Sequence, residues 1–324
     1  MAEPLVSLDH ISWALGEHPR TVEATVAAGG TVSTAEQLRA AGFADHHVCG
    51  PDTDAYDLAV RALTPVRERL DRVGAIVYAT CLPGNATTGS TAEFEATGDV
   101  KHLMRYPASR LQADFGWDDA IAVGVGQQGC TGLLGAVRVA RALLIAEPDL
   151  DPVVCVTADR FPAGARYEQT YNLVSDGAVG CVVSRAPGRF GLLSVRHVTN
   201  GALAEAIDDE VVGSYFSNTC EVVRQACDEV KMAPGEADWL VPQNTDVRAV
   251  EILGRLLGLP EQRLHRPATG RLGHVIAGDN LINLAELDAT GALTPGQRLV
   301  LPVAGYGMNF QCAVLQVQPP GPGF

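Results

Sequence analysis

Short, continuous apolar runs alternate with amphipathic stretches along most of this chain. Residues 74–80 (G-A-I-V-Y-A-T), 152–157 (P-V-V-C-V-T) and 178–184 (A-V-G-C-V-V-S) have the length and turn-bounded flanks of strands buried on both faces. Residues 55–70 carry charge on one side and apolar residues on the other, which predicts a surface helix. A longer period follows Cys130: Leu133, Leu134, Val137, Val139, Ala140, Leu143 and Leu144 recur at three- and four-residue spacing, as one buried helix face requires. After A-P-G-R at 186–189 the pattern restarts. It predicts a strand over 191–198, a helix over 215–231, a strand over 239–242, helices over 247–257 and 281–292, and strands over 298–303 and 311–317. Apolar strands between helices indicate an α/β fold with covered sheets. The two stretches 1–185 and 186–324 have similar element content, so a duplicated core with its site between the halves is the economical reading. The final P-P-G-P-G-F is a tail with no folding signal.

Within this frame one residue stands out. Cys130 lies in V-G-V-G-Q-Q-G-C-T-G, residues 123–132, between a run of small apolar residues and the long helix. Gly129 and Gly132 permit a sharp turn and close backbone approach. A cysteine at a helix N-terminus meets unsatisfied N–H groups and the positive end of the helix dipole, which are expected to favour a thiolate and to hold a developing oxyanion. This predicts an acyl-accepting nucleophile; the alternative is a small buried cysteine. The same run contains G-x-G-x-x-G, but no clearly placed acidic ribose ligand follows about 20 residues later, so a dinucleotide loop is rejected.

Composition narrows the partners. Of 324 residues, 47% are hydrophobic and 19% charged, ordinary for a globular protein, and 24 basic against 38 acidic residues give a net charge of −14. That balance argues against nucleic acid or an anionic membrane as the main partner, and docking of an acidic carrier protein would need a local basic patch. The eight cysteines are scattered without a C-x-x-C pair, and Cys155 and Cys181 fall in predicted buried strands. Reduced thiols in a cytoplasmic protein are expected, with neither a disulfide framework nor a zinc site. No signal peptide and no uninterrupted apolar run near the ~20 residues of a membrane span are read.

Several segments, in order, resemble the thiolase superfamily and within it the β-ketoacyl-acyl-carrier-protein synthase III (KAS III) group. They are V-G-A-I-V-Y-A-T (73–80), V-G-Q-Q-G-C-T-G (125–132), S-D-G-A-V-G-C-V-V (175–183), A-D-W-L-V-P-Q-N (237–244), L-G-H-V-I-A-G-D-N (272–280) and A-G-Y-G-M (304–308). The resemblance implies a five-layered αβαβα fold and a homodimer. It makes Cys130 the acylated nucleophile and gives the oxyanion hole to the backbone N–H groups of Cys130 and Gly307. Condensing members of the family carry a histidine after W-L-V-P and an asparagine in the later loop, a pair that stabilises the enolate formed by decarboxylation. Here those positions hold Gln243 and His274, and Asp279 follows five residues on.

That set resembles KAS III-like acyltransferases of antibiotic and other secondary-metabolite pathways, which pass the acyl group to a hydroxyl or amine. Histidine suits removal of the acceptor's proton, and a carboxylate on its far ring nitrogen would orient it. Asp279 is read either as that carboxylate or as a helix N-cap, and Gln243 either as a contact to the acceptor or to His274, or as packing. The usual adenine-binding tryptophan and arginine of coenzyme A sites are not evident over 20–50, which favours an acyl-carrier-protein donor over coenzyme A; no other cofactor is implied. Among the remaining histidines, His197 is read as a surface or hydrogen-bonded residue. His46 and His47 are assigned to a polar loop without a metal. The leading function is acyl transfer through acyl-Cys130 to a small molecule. The alternatives are a decarboxylative priming condensing enzyme and a catalytically idle subunit.

Overall fold

The computed structural model describes residues 4–170, 172–205, 208–266 and 268–319; residues 1–3 and the proline–glycine tail over 320–324 lie outside the described residues. Nine strands form the main sheet: β1 (Ser7–Leu15), β2 (Ala75–Ala79), β3 (Ile121–Val125), β4 (Val153–Asp159), β5 (Gly177–Ser184), β6 (Phe190–Thr199), β7 (Trp239–Leu240), β8 (Arg298–Gly305) and β9 (Asn309–Val317). Their order is β7-β8-β9-β6-β1-β5-β4-β2-β3. The sheet is mixed, with β2 parallel to both β3 and β4, and β4 antiparallel to β5. β1 meets β6 through Ser7 opposite Gly191 and Leu8 opposite Phe190, so two half-sheets join at one short seam.

Side-chain alternation along these strands builds three cores. In β4, Val153 and Cys155 face one way and Val154 and Val156 the other. The first face packs against α3 (Gly132–Ala146) and α6 (Asp279–Ala289), and the second against α1 (Ala55–Arg67) and α2 (Pro107–Phe115). In β8, Leu299 and Leu301 join the same central core as α3 and α6, whereas Val300 faces α4 (Asp208–Glu229) and α5 (Val247–Leu257). The layers therefore run helix, half-sheet, α3 and α6, half-sheet, helix. Each fully buried Leu or Val in these cores contributes roughly 1.5–3 kcal/mol over an exposed one. The predicted α/β class is the observed one. The most apolar helical stretch, Gly129–Ala146, has mean hydropathy 1.5 and packs between the half-sheets.

Several boundaries move for local reasons. The strand expected over 239–242 is limited to Trp239–Leu240, and Pro242, which has no N–H to give a ladder, follows soon after. The helix expected over 281–292 begins at Asp279 and ends at Ala289, before Gly291 at φ +74°. β1 was not among the expected strands, yet it carries the seam.

His46 is not on a polar loop. It is fully buried in the short strand Asp45–Val48, with Nε2 2.7 Å from Thr25 Oγ1 and Nδ1 2.8 Å from Val174 O. Burial pushes its pKa down from 6.5 to about 4. Between those values the unfolded chain binds the extra proton, so His46 lowers stability as pH falls from about 6.5 towards 4 and has no such effect above 6.5. Urea unfolding across this window is expected to show a steeper fall in the wild type than in His46→Asn, by at most about 1.4 kcal/mol per pH unit. Equal slopes would contradict the buried neutral state.

Candidate active site

Cys130 sits on an elbow that only unusual backbone angles allow. After β3 the chain takes φ +60° at Gln127 and +51° at Gly129, then a single tight helical turn, Gly129–Thr131, leads into α3. A Cβ on Gly129 would lie 2.5 Å from Tyr306 N, so no larger residue fits there. Polar contacts brace the elbow. Thr131 Oγ1 donates to Gln128 O at 2.7 Å, and Gln311 Nε2 donates to Gln128 Oε1 at 2.9 Å. Asn309 Nδ2 donates both to Gln127 O at 3.1 Å and to Tyr306 O at 3.2 Å.

The second half of the chain brings His274 to the thiol. His274 N donates to Leu173 O at 2.7 Å and His274 O accepts from Ser175 N at 2.9 Å, which pins the loop to the segment before β5. Its Nε2 is 3.2 Å from Cys130 Sγ, and its Nδ1 is 2.5 Å from Asp279 Oδ2. Asp279 also accepts from Val275 N at 2.7 Å and Asn244 N at 2.8 Å. It is the first residue of α6, whose cap is Gly278, so the carboxylate orients the imidazole and does not act as the N-cap. With the carboxylate accepting at Nδ1, the hydrogen-bond network assigns the ring proton there and leaves Nε2 as the acceptor facing sulfur. Cys130, His274 and Asp279 are 9%, 4% and 1% exposed. A cysteine, a base and an orienting acid in this order can pass a thiol proton to the ring as sulfur attacks a carbonyl.

Two features oppose the thiolate that the helix N-terminus is expected to favour. The neighbouring Cys81 thiol and burial push Cys130 well above the ordinary cysteine range. Burial disfavours the anion, and His274 Nε2, 3.2 Å away, is placed to take the thiol proton.

Gln243 is buried at the cavity wall and accepts from Ala304 N at 2.7 Å through Oε1; this contact is not to His274. The backbone of β8 and the following turn abuts the elbow at Gly305 and Tyr306. A Cβ on Gly305 would lie 2.5 Å from Cys130 N. Gly307, expected to supply an oxyanion donor, is at φ +74° in the same turn, its Cβ position 3.1 Å from Asn309 Nδ2 and 3.7 Å from Gln127 O of the elbow. The sequence reading missed Asn244, Asn309 and Cys81. Asn244 adjoins Gln243 in P-Q-N, a signal available in the sequence; nothing local marked the other two.

Above Cys130 and His274 opens a cavity of about 990 Å³ whose apolar wall includes Leu38, Phe161, Tyr215, Phe216 and Ile252. Its size is that of a small-molecule site. His197 lies elsewhere, 2.8 Å from Thr199 Oγ1 and 3.1 Å from Asn309 Oδ1. Among the described residues no cluster of three or more metal-ligating side chains occurs.

Comparison with known proteins places this geometry in context. Residues 227–317 match the family described as 3-oxoacyl-[acyl-carrier-protein] synthase III C terminal. The chain is 22% identical to a β-ketoacyl-[acyl-carrier-protein] synthase III from Chlamydia caviae, covering 94% of this chain and 96% of that protein. Among solved structures, ChlB3, an acyltransferase, superposes with TM-score 0.81 at 24% identity over 99% of this chain and 100% of its own. The 3-oxoacyl-(acyl carrier protein) synthase III of Pseudomonas aeruginosa PAO1 gives 0.79 at 22%, over 98% and 100%. At these identities the structural likeness is one of fold.

Substituting Gly305→Ala drives a methyl group against Cys130 N. Acyl transfer from a thioester onto Cys130, followed by intact mass in a single turnover, is expected to slow by roughly 10²–10³, as when an oxyanion donor is displaced. An unchanged rate would remove this strand from the site.

Proposed function

The chain has the KAS III-like fold of the thiolase superfamily, and from that premise we propose that it is an acyltransferase. It takes an acyl group from a carrier-protein thioester onto Cys130 and passes it to a hydroxyl or amine of a small molecule, as in antibiotic biosynthesis. The observation that carries this reading is the Cys130–His274–Asp279 relay, with contacts of 3.2 and 2.5 Å. In the first step Cys130 Sγ gives its proton to His274 Nε2 and attacks the thioester carbonyl. The tetrahedral oxyanion is held by the Cys130 N–H and by the turn beginning at Gly305. The ring then protonates the departing pantetheine sulfur. In the second step His274 Nε2 takes the proton of the acceptor as its oxygen or nitrogen attacks acyl-Cys130; the intermediate then collapses, the C–S bond breaks, and the ring returns the proton to Cys130 Sγ.

Decarboxylative condensation makes a different demand. A malonyl thioester generates its own carbanion and needs donors aimed at the enolate oxygen. With Asp279 at Nδ1, His274 Nε2 is an acceptor, and Gln243 already spends Oε1 on Ala304 N. That leaves one neutral amide donor, which supports a base-catalysed transfer over enolate stabilisation.

The proposed partners are also supported by surface features. Arg248, Ile252 and Leu256 recur every four residues on α5, all exposed, with Arg248 and Ile252 at the cavity wall. Arg255 adjoins them; Arg248 pairs with Asp246 and Glu251 lies between the two arginines, so an acidic carrier protein would dock here on the apolar residues and Arg255. A homodimer would be built on β3, the edge strand, where Ile121 is exposed.

Cys130→Ala is expected to abolish both the acyl-enzyme and the product; single acylation retained in that variant would exclude Cys130 as the carrier. His274→Ala is expected to slow transfer to the acceptor by roughly 10²–10⁴ while some acyl-Cys130 still accumulates. Asp279→Asn should impair the same step through the ring's tautomer. Unaltered transfer in both would end the general-base assignment. A direct comparison offers an acyl donor with malonyl-carrier protein, then with hydroxylated or amino acceptors. Ester or amide without carbon dioxide is expected; a β-ketoacyl product with stoichiometric carbon dioxide, and no ester or amide, would establish the condensing alternative. Absence of any acyl-enzyme with every donor would indicate an idle subunit.

A further inference from the structure

Two thiols open on the cavity, and the acyl-transfer steps use one of them. Cys81 follows β2 and lines the same cavity as Cys130. The end of β2 lies against the start of α3: a Cβ on Gly132 would be 3.3 Å from Ala79 Cβ. Cys81 is two residues beyond Ala79 and Cys130 two before Gly132, which brings the two side chains to one wall. The turn bearing Cys81 is held by the buried carboxylate of Asp159. That group accepts from Cys81 N and Leu82 N at 3.0 Å, from Thr80 Oγ1 at 2.6 Å and from Asn85 Nδ2 at 3.0 Å. So many donors on one carboxylate fix the turn and hold its thiol at the cavity wall that Cys130 shares.

A second thiol pair gives the contrast. Cys155 and Cys181 lie directly opposite each other on β4 and β5, but both are 0% exposed inside the sheet. Proximity is similar in kind; access is not. Cys81 is partly exposed, and the cavity it shares with Cys130 has room for a small oxidant.

We propose that Cys81 and Cys130 form an oxidation-sensitive dithiol, which a hydroperoxide such as hydrogen peroxide closes to a disulfide that masks the nucleophile reversibly. One thiol, its proton drawn off by His274 where it is Cys130, attacks the peroxide oxygen; the O–O bond breaks, a sulfenic acid forms and water leaves. The other thiol attacks the sulfenic sulfur, the S–S bond forms, and the S–O bond breaks with loss of a second water. Two thiols and one hydrogen peroxide thus give one disulfide and two waters: both sulfurs are oxidised and the peroxide is reduced. A dithiol reductant reverses the step by thiol exchange. Without Cys81, the sulfenic acid at Cys130 has no partner and proceeds to the sulfinic and sulfonic acids, which such a reductant does not restore. Two thiols on one cavity wall and room for the oxidant suffice for this step, whichever acceptor the acyl group reaches.

The test treats the reduced full-length protein with hydrogen peroxide, alkylates the remaining thiols after denaturation, and maps the proteolytic peptides by mass. The expected result is a linked pair of Cys81 and Cys130 peptides, lighter by two hydrogens and separated by dithiothreitol, with Cys155 and Cys181 still alkylated. Acylation of Cys130 should be lost as the link forms and return with dithiothreitol. In Cys81→Ser, measured against its own untreated acylation, the loss should persist after dithiothreitol. Cys130 recovered in the wild type as sulfinic acid without a link, or linked to another cysteine, would overturn the proposal. So would an equal recovery of Cys81→Ser. Should that variant not fold, the wild-type peptide map decides alone. If no donor acylates the protein, the linked peptide still supports the dithiol while the transfer reading fails.

Discussion

The buried carboxylate of Asp279 is the contact on which the site depends. At 1% exposure it has no water to satisfy it, so it must gather donors from the chain, and it takes three: His274 Nδ1, Val275 N and Asn244 N. These lie on a loop, on the residue after it, and on the segment that leaves β7. One carboxylate thus ties three parts of the second half together around the imidazole. Loss of its oxygens would strand buried N–H groups, each costing about 1–3 kcal/mol. The asparagines extend the same network: Asn244 Nδ2 donates to Gly273 O, Asn283 Nδ2 to Asn244 Oδ1, and Asn280 Nδ2 to Val241 O and Pro302 O. Orientation of the ring is therefore a property of a satisfied interior network, and tautomer and position are set together.

That network occupies the end of the central layer, where the two half-sheets and α3 and α6 converge. The apolar cores on either side hold the backbone of β8 and the elbow before α3 close enough that Gly129 and Gly305 can carry no side chain. Tight packing in this region also buries the thiol, which raises the energy of the free thiolate. A buried thiol and a fixed proton acceptor are complementary: the proton leaving sulfur has His274 Nε2 3.2 Å away. The same crowding places Cys81 and Cys130 on one cavity wall.

Most of the fold was legible in the chain because its signals are local. The run V-V-C-V-T could only be a short buried strand, the period through Leu133, Val137, Ala140 and Leu144 only a buried helix, and glycines around Cys130 only a sharp turn. Spacing also set His274 five residues before Asp279, within reach through a loop. β1 escaped because its exposure alternates irregularly around a bulge between Asp9 and Ser12. Which face each strand turns to the central layer, and hence which segments meet there, was decided by tertiary packing. That packing set Gly305 and Tyr306 against the elbow, gave Asp279 an imidazole in place of a cap, recruited Asn244 and Asn309, and desolvated Cys130. The physical reason is range: periodicity and turn chemistry act over a few residues, whereas desolvation and hydrogen-bond partners depend on groups more than 100 residues apart in the chain, as Cys130 and His274 are, with |i−j| of 144.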